Sequence, residues 1–370
     1  MASINQLLKS VTPPQVILTD AYDGLEYRWK FLTFRPALFS LEPYLIGAVA
    51  FYFLFFLYGK SVNRSKTNAW YKAHLDILNA QFSTTTPDLT ADGNTDFYGF
   101  STGRRTIASL HTVFALVPRH DFAQWIFQTL RSLVDLDYKS TDIVELDFKL
   151  ADSSDVTGFV WGVVRKDIMR QLPSERWDLT FTKTSENPAL PANFSVMSEF
   201  ADITEAMFRP SGTFSLPTLL KDTKFHPYLR SLTVTDQPRK RPFTGPVPVE
   251  KRSKRVLLTL DLPSGSNVKD TRELVAGVFQ FIDALTKASL RPETRTKLRK
   301  AREDVDKQLT VDATREANEE REQAVDDKKA AKRRIEEERI AKLPAAEQQK
   351  IIERERKRNA RKAQSKIARR

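Results

Sequence analysis

The sequence of 370 residues contains no cysteine, only 12 glycines and only four histidines. The missing thiols exclude disulfide frameworks, Cys-ligated zinc, iron–sulfur clusters and cysteine nucleophiles together. Scarce glycine argues against phosphate-cradling loops, and neither G-x-G-x-x-G nor G-x-x-x-x-G-K-[ST] occurs. His74, His111, His120 and His226 form no H-E-x-x-H or other close ligand pair, so they read as packing or surface residues. No G-x-S-x-G elbow supplies a serine nucleophile. Glu199, Asp202 and Glu205 recur every three residues on a helical pattern, yet no histidine or second acidic cluster accompanies them. A solvated face is the expectation there. No catalytic residue, metal or cofactor is expected, and the chain does not read as an enzyme.

What is present is apolar mass and unevenly placed charge. Hydrophobic residues make up 41% of the chain, enough for a core, and the net charge is +12. Lys350–Arg370 alone carries ten cations against two carboxylates, so most of the excess sits in the last 21 residues.

Pro43 to Gly59 is a run of 17 residues without a charge, bounded by Glu42 and Lys60. As a helix it reaches roughly 25 Å, short but adequate for a thin bilayer that adjusts to mismatch. Tyr44, Tyr52 and Tyr58 suit the interfaces, and Tyr44, Gly47, Ala48, Phe51 and Phe55 are the candidate contacts to membrane or partner. The preceding residues lack the pattern of a cleaved secretory signal, so the run reads as a signal anchor behind a short lumenal segment, 1–42. Lys60, Arg64, Lys66 and Lys72 against Arg28, Lys30 and Arg35 lean toward a cytosolic C-terminus. Sequons at Asn63-Arg64-Ser65 and Asn193-Phe194-Ser195 are expected to report on that orientation.

Residues 60–290 read as an antiparallel α+β domain, because strands come in runs with helices grouped at the ends. Helical spacing marks Asn68–Phe82, His120–Leu136, Phe194–Met207 and Asp270–Leu290. In His120–Leu136 the apolar positions are Phe122, Trp125, Ile126, Leu130 and Leu133, an amphipathic pattern. Strands are expected at Ile143–Leu150, Gly158–Val164, Trp177–Thr182, Leu229–Thr235 and Arg255–Leu262. Pro238–Val249 is a Pro-rich loop between basic clusters, read as solvated or phosphate-facing.

Pro292 to Leu343 is rich in Ala, Glu, Arg and Lys, a strong helix composition. Its seam of Leu298, Val305, Ala317, Ala324, Ala331 and Ile335 is too thin for a stable coiled coil, so an extended helix held by neighbouring charge pairs fits better. Pro344 ends it and opens a second helical segment. The terminal cations Lys350, Arg354, Arg356, Lys357, Arg358, Arg361, Lys362, Lys366, Arg369 and Arg370 come without an aromatic side chain. Such a segment neutralises phosphates and does not stack on bases. RNA, acidic lipid headgroups or bulk solvent can all face it; only Ile351, Ile352 and Ile367 offer apolar contact, which favours RNA over lipid.

Several ordered blocks carry a resemblance. GKSVNRSKTNAWYKAHLDILNAQF (Gly59–Phe82) resembles the juxtamembrane stretch of the calumin family, coiled-coil-containing endoplasmic-reticulum membrane proteins of the translocon-associated PAT complex. LPANFSVMSEFADITEAM (Leu190–Met207), LRSLTVTDQ (Leu229–Gln237), KRVLLTLDLP (Lys254–Pro263) and the Pro-broken basic tail follow in that family's order. The resemblance implies a role beside the ribosome and Sec translocon, with a small membrane partner called Asterix, shielding nascent multipass membrane proteins during insertion. It implies that the tail cations touch large-subunit ribosomal RNA near the exit tunnel. The alternative is a membrane tether whose basic tail binds anionic lipid or another helix, including a calcium-homeostasis role. The acidic region to which the family's calcium binding is attributed has no counterpart here: residues 1–42 hold only Asp20, Asp23, Glu26 and Glu42, and that activity is not carried over.

Overall fold

A computed structural model describes residues 24–30, 32–36, 42–135, 138–152 and 156–341. The described chain forms two compact units, one from residues up to 241 together with 251–296, the other from 242–250 together with residues from 297 onward.

The first unit begins with a hairpin of β1 (Tyr27–Trp29) and β2 (Leu32–Phe34), and continues into α1 (Glu42–Gln81). The charge-free run and the amphipathic Asn68–Phe82 stretch are therefore one helix of 40 residues, about 60 Å long. After it come β3 (Thr84–Thr85), β4 (Thr90–Asp92), β5 (Asp96–Thr102), β6 (Ile107–Ala115), α2 (Phe122–Val134), β7 (Ile143–Leu150) and β8 (Trp161–Arg165). Then follow β9 (Lys183–Ser185), β10 (Phe194–Ser198), α3 (Ala201–Phe208), β11 (Leu229–Thr235), β12 (Arg255–Asp261) and α4 (Arg272–Leu285). Ten strands form one sheet in the order β3-β5-β6-β7-β12-β11-β8-β10-β9, with β4 also on β5. Every pairing is antiparallel, and the mixed architecture matches the expected α+β class.

Strand β7 shows how the sheet faces divide. Val144, Leu146, Phe148 and Leu150 are buried, and Phe148 meets Phe279 of α4 edge-on at 5.4 Å. On the other face Glu145 pairs with Arg239, and Asp147 with Arg255 at 2.6 Å. Strands β8, β10 and β11 are covered on both sides. Trp161 packs against Phe208 and Phe281 on one of them. A cluster of Val160, Val164, Ile168, Leu179 and Met197 fills the rest.

Two expected elements differ. Trp177–Thr182, read as a strand, is a 3-10 helix over Trp177–Phe181. The fully buried Asp178 takes both guanidinium contacts of Arg176, at 2.6 and 3.1 Å, and Arg176 in turn donates to Thr233 on β11. Satisfying that buried carboxylate turns the chain away from a ladder. Phe194–Met207, read as one helix, is strand β10 followed by α3. All five residues of β10 are buried, so the period of two that identifies a strand is absent from its sequence.

The second unit is dominated by α5 (Pro292–Ala341), whose first residues belong to the first unit. Ion pairs one turn apart run along it, among them Arg299–Glu303, Lys307–Asp304, Arg315–Glu319 and Lys329–Asp326. Each such exposed pair contributes only about 0.3–0.5 kcal/mol, so the helix rests on propensity as much as on charge. Pro344 and the tail cations from Lys350 to Arg370 lie outside the described residues.

Candidate functional site

The apolar half of α1 is bare. Among the described residues it is the one helix long and apolar enough to cross a membrane, and only 6% of its most apolar window is buried. Tyr44 is 78% exposed, Ala48 is exposed, and a side chain added at Gly47 would meet nothing within 4 Å. Phe51 and Phe55 are placed differently: they hold the edges of Phe122 at 5.5 and 5.1 Å, and Phe55 also faces Trp125 at 6.2 Å. The five candidate contacts thus divide into three free positions and two that grip α2.

Where α1 meets the sheet, the packing changes within one turn. Gly59 is buried, and a Cβ there would sit 2.1 Å from the carbonyl oxygen of Arg119. Only glycine allows the helix this close. From Gly59 the buried positions Asn63, Thr67, Trp70, His74 and Leu78 recur every three or four residues, one stripe down the helix. Asn63 donates to the carbonyls of Asn94 and Val117, both at 3.1 Å, and accepts from Arg119 at 3.0 Å.

Beside it Asp142, with a side chain 6% exposed, accepts from both Arg119 guanidinium nitrogens at 2.7 and 2.9 Å, from Lys66 at 2.9 Å and from the Val117 N–H at 3.1 Å. Burial alone would raise the Asp142 pKa; the hydrogen bonds from Arg119, Val117 and Lys66 outweigh it and hold the carboxyl below its ordinary range. Farther along, Trp70 and His74 stack at 3.8 Å, and the Thr271 hydroxyl accepts from the Trp70 indole at 3.1 Å. With Nδ1 of His74 donating to the Trp70 carbonyl, its Nε2 accepts from Thr271 at 3.0 Å, which assigns the neutral Nδ1–H tautomer. The outcome is a stiff joint between an exposed apolar helix and a folded body.

This joint was the part that sequence reasoning missed. Its signal is spacing rather than hydrophobicity, since the stripe mixes Gly, Asn, Thr, Trp and His. It also removes one topological marker: Asn63 is fully buried and bonded, so a glycan there is incompatible with the fold, whereas Asn193 is exposed.

The acidic face expected to be solvated is in use. Glu199 accepts from the Val160 N–H at 2.9 Å, Asp202 binds Arg291 at 3.1 Å and the Thr294 hydroxyl at 2.7 Å, and Glu205 reaches Arg291 at 3.2 Å. Asp202 and Glu205, both on α3, fix the chain where it enters α5, whereas Glu199 precedes α3 and holds the chain ahead of β8. Arg239 and Arg255, in the basic clusters around the Pro-rich loop, are committed to Glu145 and Asp147. That commitment weakens the phosphate-facing reading of the loop.

A known family's sequence model, described as PAT complex subunit CCDC47, matches residues 38–362 of this chain. The chain belongs to this family. It is the family that the blocks from Gly59 onward resemble. A UPF0674 endoplasmic reticulum membrane protein of Schizosaccharomyces pombe is 28% identical over 351 residues, spanning 89% of this chain and 87% of that protein. A second UPF0674 endoplasmic reticulum membrane protein, from Saccharomyces cerevisiae, is 22% identical and spans 70% of this chain and 68% of its own. The mouse PAT complex subunit CCDC47 is 22% identical over 68% of this chain, which covers 53% of the mouse protein. The family model and its mouse member are described as PAT complex subunits, and the two yeast relatives are named as endoplasmic reticulum membrane proteins.

Proposed function

We propose that this chain is a non-enzymatic subunit of an intramembrane chaperone, working beside the ribosome and Sec translocon of the endoplasmic reticulum while multipass membrane proteins are inserted. The observation that carries this reading is the family match across residues 38–362. The geometry supports it: an exposed apolar helix is joined without slack to a folded body, as a membrane subunit that presents a helix surface to clients or to a partner such as Asterix requires. Tyr44, Gly47 and Ala48 are the positions open for that contact, and the small residues at 47 and 48 leave room for a second helix. The body and α5 occupy the cytosolic side, and the cations from Lys350 to Arg370 neutralise ribosomal RNA.

A photo-crosslinking amino acid at Ala48 tests the client contact on ribosome-stalled intermediates of a multipass substrate. Adducts to the nascent chain or to a small membrane protein are expected at Ala48, and none from a probe on the sheet body at Glu145. Adducts to lipid alone would instead support the tether reading.

A further inference from the structure

Helix α2 is built inside out. Its apolar positions form one face, as the sequence pattern requires, yet no residue of α2 is buried. Phe127 is 64% exposed, Leu130 57%, Leu133 73% and Val134 87%. The polar face turns inward instead: Gln128 and Ser132 are half-buried, and Gln128 accepts from the Ser140 hydroxyl at 2.8 Å. A helix of a soluble domain does the reverse, hiding the apolar stripe.

The position of α2 says what covers it. Its first turn lies on the bare part of α1, through Phe122 on Phe51 and Phe55, with Tyr52 donating to the N-cap residue Asp121 at 3.4 Å. The exposed apolar face of α2 is thereby continuous with the apolar run itself. Phe51 is eight residues before Gly59, where the body begins, or roughly 12 Å along the axis. If the headgroups started at Phe51, the run from Pro43 would offer only about 12 Å to a hydrocarbon layer of roughly 30 Å. With α2 submerged, the full length of the run counts. The composition agrees: Arg131 is the single charged residue of α2, and it is partnered by the Tyr138 ring at 4.2 Å and by Asp135 at 3.8 Å.

We propose that α2 lies within the membrane leaflet nearest the body, its Phe127–Leu130–Val134 face in the acyl chains and its Gln128–Ser132 face toward the protein. The occupant of the face is lipid. This rests on α1 spanning the membrane and does not need the chaperone reading. One consequence is mechanical: a helix lying along one leaflet displaces lipid and thins that leaflet beside the span, which suits an apolar run of only 17 residues.

The natural absence of cysteine gives a clean background for labelling. Full-length Leu130→Cys, Val134→Cys and Gln124→Cys proteins, each carrying an environment-sensitive fluorophore, are reconstituted into phosphatidylcholine–phosphatidylserine vesicles. A Leu54→Cys label marks the span. Labels at 130 and 134 are expected to emit blue-shifted light and to be quenched several-fold more by acyl-chain doxyl lipid than by aqueous iodide, with the opposite order at 124. Iodide quenching of 130 and 134 equal to that of 124 would overturn the proposal. So would shielding from both quenchers, which means that a second copy covers the face. If the label at 54 also reports water, the span itself is misread and the proposal falls with it.

Discussion

Asp142 gathers four donor atoms at the point where α1 enters the body, from Lys66, the Val117 N–H and both Arg119 guanidinium nitrogens. Asp142→Asn keeps the shape and removes the charge; a loss of about 2 kcal/mol is expected, seen as a lowered Tm of the detergent-solubilised protein at neutral pH. The pH dependence has a definite sign. The folded-state pKa is depressed, so the contribution is present above the unfolded pKa of about 4 and disappears as the pH falls through the folded value. Unfolding of the unmodified chain should therefore ease as the pH drops from about 5, and the Asp142→Asn variant should respond less steeply. Parallel pH profiles would remove Asp142 from the joint. Gly59 makes a second residue-scale case. Gly59→Ala drives a methyl into the Arg119 backbone and should cost about 1–3 kcal/mol or more, whereas Gly47→Ala, with nothing within 4 Å, should leave Tm unchanged.

Among the elements, the start of α5 is held by carboxylates of α3, chiefly Asp202. Asp202→Ala removes the acceptor of Thr294 and leaves Arg291 with Glu205 alone, and faster amide hydrogen exchange is expected over residues 291–298, with β7 and β12 unaffected. Exchange unchanged at those residues would mean that packing alone fixes the helix start. Element by element, the clearest signal was in β7, where one side of the chain meets the core and the other meets charge, while β11, covered on both sides, was readable from its turn-bounded run of Leu, Val and Thr. Ile143–Leu150 and Leu229–Thr235 were read to the residue, and Arg255–Asp261 to within one.

Strands β5 and β6 escaped for a physical reason. The inward positions of β5 are Phe97, Gly99 and Ser101, while Tyr98 and Phe100 point out at 45% and 38% exposure, so the polarity of the alternation is reversed. In β6 a register shift between Ile107 and Ser109 breaks the period. Strand β10 was mistaken for helix because both of its faces are covered. Of the candidate site, the bare apolar run was legible from hydropathy, and the amphipathic pattern of α2 was too. That the pattern faces outward was not, because periodicity fixes a stripe without saying what lies against it.

At the scale of the whole molecule, an exposed apolar helix, a stiff joint, a mixed α and antiparallel β body and a long charged helix fit the proposed role beside the translocating ribosome. Its separate parts predict separate failures: changes at the joint weaken the fold, changes on the free side of α1 weaken client contact, and loss of the tail weakens ribosome contact. The central claim is the last of these, since it decides between a translocon subunit and a lipid tether. The direct measurement is co-sedimentation of the detergent-solubilised protein with ribosomes across a salt series, comparing the full chain with one ending at Gln349. Binding that requires Lys350–Arg370 and fades steeply with added salt is the predicted result. Failure of both proteins to sediment with ribosomes at low salt would contradict the account.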